Sequence, residues 1–192
     1  MTKYQLSAYP KQISTRDGRS VTVRPLADTD ADRLQRFFAR LPASDRYFLK
    51  DDVTSPRVIA EWIGNIDYAR VLPLVALSDD EIVADAALIR RRHGALRSIA
   101  NVRVVVDAEY RLQGLGTALL KELCDVAADA ELDKVTAELY TGVQDDAISA
   151  AEQLGFIRAA TVHEFVRDEQ GRPHDMVLMV LPLGKWYQWW QF

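Results

Sequence analysis

One stretch constrains this chain more than any other: Val104-Val105-Val106-Asp107-Ala108-Glu109-Tyr110-Arg111-Leu112-Gln113-Gly114-Leu115-Gly116-Thr117-Ala118-Leu119-Leu120. Three consecutive valines read as the end of a strand that is apolar on both faces and central in a sheet. A short polar turn follows, and then Leu115, Leu119, Leu120, Leu123, Val126 and Ala127 recur at helical spacing. A buried strand that feeds a helix through a glycine-bearing turn belongs to a layered structure of mixed α/β type. The first N–H groups of such a helix lack intrahelical partners, and the aligned peptide dipoles make that end positive. Gly114 and Gly116 carry no Cβ to hold off a bulky anion. Arg111 adds a full charge. The physics points to a phosphate or diphosphate seat, with a ligand-free glycine-rich helix start as the alternative. Two familiar phosphate loops do not fit. A P-loop needs Lys then Ser or Thr after its last glycine, where this chain has Thr117-Ala118; a dinucleotide fingerprint needs a small residue where this chain has Leu119.

The rest of the 192 residues supplies alternating elements. Residues 1–19 are polar and mixed, an arm or short lead-in strand holding the turn signal Asp17-Gly18. Val21 to Leu26 alternates as a half-buried strand does. Asp28 or Thr29 is placed to cap a helix with the stripe Leu34, Phe37, Phe38 and Leu41, ended by Pro42. A second helix is expected near Ser55-Pro56, with Ile59, Trp62, Ile63 and Ile66 inward. Strands Val71–Leu77 and Ile82–Ile89 flank the turn Ser78-Asp79-Asp80, and Arg90-Arg91-Arg92-His93-Gly94 closes their far end. After the strand Ile99–Val106 and its helix come a strand over Lys134–Tyr140 and a helix over Ala147–Leu154 ending at Gly155. Phe156–Arg167 and Met176–Leu181 close the domain around Asp168-Glu169-Gln170-Gly171-Arg172-Pro173. Antiparallel hairpins early and a helical crossover late make a mixed α/β domain over residues 20–184. Residues 185–192 form an aromatic tail, Trp186-Tyr187-Gln188-Trp189-Trp190-Gln191-Phe192.

Composition narrows the partners. Twenty-four Lys and Arg against 28 Asp and Glu leave a net charge of −4, which argues against nucleic acid as the main partner. Cys124 is the single cysteine, so neither a disulfide framework nor a thiolate metal cluster is expected, and a reducing, cytoplasmic setting fits. Cys124 lies on the apolar side of its helix and reads as core. His93, His163 and His174 lack metal-ligand spacing, so no metal is expected. The first residues lack the apolar stretch of a signal peptide. No apolar run reaches membrane-spanning length, and no membrane partner is expected. The aromatic tail reads either as packing on the domain's own surface or, the favoured reading, as burying in a partner subunit to give a homodimer.

Arg111-Leu112-Gln113-Gly114-Leu115-Gly116 resembles the Arg/Gln-x-x-Gly-x-Gly/Ala signature of the GNAT acetyltransferases. Ala147-Ile148 with Glu152-Gln153-Leu154-Gly155-Phe156 resembles that family's closing helix and its Leu-Gly-Phe ending. The run from Gly171 to Met179 resembles its terminal hairpin. Arg46-Tyr47-Phe48-Leu49 and the Gly-Leu-Gly loop are similar to bacterial members related to protein-lysine acetyltransferases. The resemblance implies a mostly antiparallel sheet of six to seven strands, about four helices and a splayed central strand pair. It also implies acetyl-CoA as cosubstrate. The diphosphate would rest on Leu112, Gln113, Gly114, Leu115, Gly116 and Thr117 beside Arg111. The pantetheine arm would lie along Val104, Val105 and Val106, with Gln144 standing where the family has an Asn. A strand N–H would polarise the thioester carbonyl.

The implied reaction is attack of an amine on a thioester, with no covalent enzyme intermediate. A lysine amine costs about 4.6 kcal/mol to deprotonate at neutral pH, an α-amine about 1.4 kcal/mol. A general base therefore matters most for lysine. The departing thiolate costs only about 2 kcal/mol unprotonated, so a general acid is helpful but dispensable. Many relatives carry a Glu on the strand before the loop, where register with Arg111 gives Asn101. Many place a Tyr on the closing helix, where this chain has Ala151. Glu138 and Tyr140 share one face of their strand and read either as rim residues of the cleft or as candidate substitutes, Glu138 relaying a proton through water and Tyr140 supplying one. Asp85, inside an apolar strand, is either paired with an arginine or lines the acceptor site. His93 reads as a solvated turn residue, and the Arg90–Arg92 run as a solvated strand end or a surface for an acidic acceptor. The acceptor is a small-molecule or protein amine. A non-catalytic acyl-CoA-binding module is the reading from another class.

Overall fold

The computed structural model describes Tyr4 and residues 6–184, built on one eight-stranded sheet in the order β1-β2-β3-β4-β5-β6-β8-β7. The strands are β1 (Lys11–Ser14), β2 (Ser20–Pro25), β3 (Val71–Ser78), β4 (Glu81–Arg90), β5 (Ile99–Val106), β6 (Lys134–Tyr140), β7 (Ile157–Arg167) and β8 (Pro173–Pro182). The helices are α1 (Ala31–Arg40), α2 (Ala43–Tyr47), α3 (Pro56–Gly64), α4 (Leu115–Asp129) and α5 (Asp145–Gln153). All neighbouring strands run antiparallel except β5 and β6, which α4 joins as a parallel pair. The mixed, mostly antiparallel fold is as the sequence implies, with two additions. Lys11–Ser14 pairs with β2 as an eighth strand. A fifth helix, α2, sits between the two expected early ones.

Local chemistry explains where α1 begins and why α2 forms. Asp28–Asp30 form a 3-10 turn, so α1 begins at Ala31 and not directly after Asp28 or Thr29. The buried Asp30 carboxylate accepts the Ala27 N–H at 2.9 Å and two Arg24 hydrogen bonds at 2.5 and 2.8 Å, fixing that turn against β2. The short α2 is held where Arg46 Nη1 donates to the carbonyls of Phe38, Ala39 and Leu41, three groups that the end of α1 would otherwise leave orphaned.

Two cores flank the sheet. On one face α4 and α5 bury Leu115, Leu119, Leu123, Ile148 and Ala151 against Leu74, Ala86, Val102 and Val135. On the other, α1 and α3 bury Leu34, Phe37, Phe38 and Ile59 against Val75, Leu77 and Ile82. The alternation along each strand distributes its residues between them. Thus Val102, Val104 and Val106 face α4, while Val105 packs with the α1–α3 core.

The central pair parts company quickly. β5 and β6 are in register only over Ile99–Lys134, Ala100–Val135 and Asn101–Thr136. Beyond Asn101, β5 stays with β4 while β6 stays with β8. The second half of β5 is consequently half-buried, although its valines alone suggest a fully covered strand.

Candidate active site

The turn between β5 and α4 is assembled by the local sequence. Asp107 caps a 3-10 turn over Ala108–Tyr110, accepting the Glu109 N–H. Leu112 and Gly114 then take left-handed φ values of 58° and 83°, swinging the chain into α4. Gly114 is the N-cap residue of α4, and no side chain caps the helix. A Cβ added at Gly116 would lie 3.4 Å from Val106 Cγ2, an ordinary contact distance, which places the start of α4 alongside β5. The main-chain N–H groups of Leu112, Gln113, Gly114, Leu115, Gly116 and Thr117 make no well-formed hydrogen bond among the described residues, and the first N–H of the helical ladder to do so is that of Ala118, bonded to the Gly114 carbonyl. Six consecutive free donors at a helix N-terminus form an anion seat.

Arg111 sits beside this seat, but its guanidinium is engaged. Nε donates to the Val106 carbonyl at 3.1 Å, and Nη2 pairs with Asp45 of α2. Its charge is largely neutralised where the sequence implies a free cation. It acts as a brace between the turn, the end of β5 and α2.

The splay of β5 from β6 opens a cleft that runs up to the turn. The Asp107 N–H donates to the Val83 carbonyl on β4, which fixes the alternation along β5. Residues 101, 103 and 105 direct their main-chain groups to β4, leaving those of Val104 and Val106 turned toward the gap. Of these, the Val106 carbonyl is held by Arg111.

The other expected site residues gather on the face opposite α4. Thr136, Glu138 and Tyr140 alternate with Val135, Ala137 and Leu139, which pack into the α4-side core. Asn101 sits at the apex of the splay, its Nδ2 donating to the Thr136 carbonyl and Oγ1, both at 3.3 Å. Glu138 Oε2 lies 3.1 Å from Lys50 Nζ, and both groups are substantially exposed. Phe48 packs on Tyr140 with centroids 5.5 Å apart and meets His174 edge-on at 6.2 Å. The segment after α2 therefore covers this face, a contribution that no local sequence signal for Phe48 or Lys50 announces. Gln144, at the start of α5, accepts the Tyr140 N–H on its Oε1 at 2.9 Å, tying the end of β6 to α5.

Asp85 is resolved in favour of pairing. It is 2% exposed and accepts from Arg103 Nη2 at 2.8 Å, while the Arg103 guanidinium stacks on Trp62 at 4.9 Å. His93 is exposed in the β4–β5 connection, beyond the far end of the cleft. Ala151 is fully buried in the α4-side core, so α5 presents no proton donor there. Cys124 is buried too, and burial pushes its thiol up from 9.0 to about 12. Among the described residues no group of three or more His, Cys, Asp or Glu comes together to hold a metal ion, and no helix is long and apolar enough to cross a membrane. The aromatic residues 186–192 lie outside the described residues.

Known proteins share sequence or fold with this chain. An acetyltransferase of Pseudomonas aeruginosa is 28% identical over 114 residues, covering 58% of this chain and 61% of its own length. The alanine N-acetyltransferase of ribosomal protein bS18 from Escherichia coli is 36% identical over 85 residues, covering 42% and 53%. The chain thus spans little more than half the length of these curated relatives. A Salmonella typhimurium protein assigned as an acetyltransferase, solved with its cofactor acetyl-CoA, shares the fold with a TM-score of 0.72 at 19% identity, over 86% of this chain and 95% of that one. Residues 34–156 match the acetyltransferase (GNAT) family, a span holding the splayed strands, the glycine turn and α5. The chain belongs to the GNAT acetyltransferase family.

Proposed function

We propose that this protein transfers an acetyl group from acetyl-CoA to a primary amine by direct attack in a ternary complex. The observation that carries the reading is the run of six unpartnered N–H groups from Leu112 to Thr117, set at the mouth of the cleft that opens beyond Asn101. The residues fit the nucleotide end of the cofactor. The helix start carries no side-chain cap, so its N–H groups are available to a doubly charged diphosphate. Each charge-assisted hydrogen bond there contributes about 1.5–3 kcal/mol.

When bound, acetyl-CoA supplies an acetyl thioester; the chain's part is to orient it and to manage protons. The free N–H and C=O of Val104 and the N–H of Val106 can pair with the amides of the pantetheine arm as a missing strand would, and a strand N–H can stabilise the developing oxyanion. Gln144 keeps its side-chain NH2 for the same arm while its oxygen serves β6. Val105 forms the opposite wall from the α1–α3 core. Glu138, through water, takes the proton of the attacking amine, and Tyr140 offers one to the departing sulfur. Asn101, at the apex, orients by hydrogen bonding and takes no proton. Cys124 takes no part as a nucleophile, since a buried thiol stays protonated at neutral pH.

The second reading is an acyl-CoA-binding module without turnover. It draws support from the locked Asn101 and the buried Ala151. Calorimetry with acetyl-CoA, followed by thiol release over a panel of small-molecule and peptide amines, separates the two. Binding with turnover is the expected result. Binding without turnover on any amine would favour the module, and no binding at all would end both readings.

A further inference from the structure

The anion seat has a neighbour from a distant part of the chain. The turn between β1 and β2, Thr15 to Arg19, is docked on the glycine turn. Arg16 donates its main-chain N–H to the Gln113 carbonyl at 2.9 Å. Arg19 Nη2 donates to the Glu109 carbonyl at 2.8 Å, and its guanidinium stacks 3.9 Å from the Tyr110 ring centroid. This strap brings the Arg16 side chain against the helix start: a Cβ built on Gly114 would lie 3.6 Å from Arg16 Nε and 3.8 Å from its Cγ.

The charges around the seat can be assigned one by one. Arg111 is paired with Asp45 and bonded to the Val106 carbonyl. Arg40 is shared between Glu81 and Asp107. Arg19 is paired with Asp17, whose carboxyl is held below the ordinary carboxylate range by that hydrogen bond first and by Thr15 second. Arg16 is exposed and enters no ion pair or side-chain hydrogen bond among the described residues. It is the cation beside the six free N–H groups whose charge is not already answered.

We propose that Arg16, delivered by the β1–β2 turn, binds the diphosphate of the cofactor and takes the role that the sequence pattern assigns to Arg111. The inference rests on the acetyl-CoA reading. A planar guanidinium suits phosphate oxygens, because it offers several N–H donors in a fixed fork. The strap that positions Arg16 uses its main chain, so removing the side chain leaves the turn docked.

The test is calorimetry on wild type and Arg16→Ala with three ligands: CoA, 3′-dephospho-CoA and pantetheine. The variant should bind CoA and 3′-dephospho-CoA each roughly 10-fold more weakly or worse, as loss of a charge-assisted contact implies, with pantetheine unaffected. Equal CoA affinity in the two proteins would overturn the role of Arg16 while leaving the cofactor reading intact. A penalty seen with CoA but absent with 3′-dephospho-CoA would move the contact to the 3′-phosphate and overturn the diphosphate assignment. A penalty equal on pantetheine would mark a structural effect and overturn it as well. Failure of the wild type to bind CoA would overturn the acetyl-CoA reading itself, and the role of Arg16 with it.

Discussion

The two sides of the β5–β6 cleft are built on different principles. The turn from Leu112 to Thr117 presents main-chain N–H groups, and one contiguous segment fixes their geometry. The opposite face presents side chains, and they come from separate places: Asn101 from β5, Glu138 and Tyr140 from β6, Phe48 and Lys50 from the segment after α2. A backbone site tolerates changes of side chain so long as its turn survives. A side-chain site changes with every substitution. That asymmetry lets one scaffold keep a common nucleotide-ended donor while its acceptors diverge.

The comparison breaks or sharpens under three substitutions. The largest effect is expected from Thr117→Asp, which places a carboxylate in the first turn of α4. A negative charge there favours the helix by about 0.5 kcal/mol, yet it repels a diphosphate a few ångströms away with an energy on the order of 3 kcal/mol. Acetyl-CoA affinity should fall about 100-fold while the melting temperature holds or rises. Calorimetry and a thermal melt read both, and a joint fall would show that the turn had lost its fold. Next, Glu138→Gln should lower kcat by about 100-fold with the acetyl-CoA dissociation constant unchanged. The loss should be greater for a lysine-like amine than for an α-amine, because more energy is needed to free the first of its proton. Equal losses on both amines would remove Glu138 as a base, and a weaker donor affinity would show that the two sides of the cleft are not separate.

The smallest effect concerns a group that neither side uses. Burial holds the Cys124 thiol near 12 in the folded chain against its usual 9.0. The folded form thus keeps its proton between those values while the unfolded form loses it, so stability falls as pH rises above 9. The wild type should lose about 1.4 kcal/mol by pH 10 relative to Cys124→Ala, measured by denaturant unfolding at pH 7.5 and 10. An unchanged gap between the two proteins would mean that the thiol is more open to water than its 7% exposure implies.

The same asymmetry governs how much was legible in the chain itself. The glycine turn announced itself because a main-chain site needs consecutive residues: Gly114 at φ 83° and Gly116 against Val106 both leave a mark at fixed spacing. The extents of β5 and β6 follow from apolar runs alone and agree residue for residue. Helix α2 escaped because five residues carry too little periodicity, and what holds it is Arg46 reaching back to the end of α1. Asp85 could be read only as a choice, since its partner Arg103 lies on the neighbouring strand in a register that no single strand encodes. Arg111 misled for the same reason. Its spacing to the glycines is local, whereas Asp45, which occupies it, comes from elsewhere. Arg16 was invisible as a ligand because the contact that matters joins the first hairpin to a turn about half the chain away.

That last contact bears on how the protein is made. A ribosome releases the Arg16 hairpin ahead of its docking carbonyl at Gln113, which emerges only after helices α1, α2 and α3 and three further strands. Until then the hairpin has nothing to dock on, and Arg16 has no helix start to stand beside. Docking therefore joins two pieces of chain made about a hundred residues apart, and it waits on the later of the two.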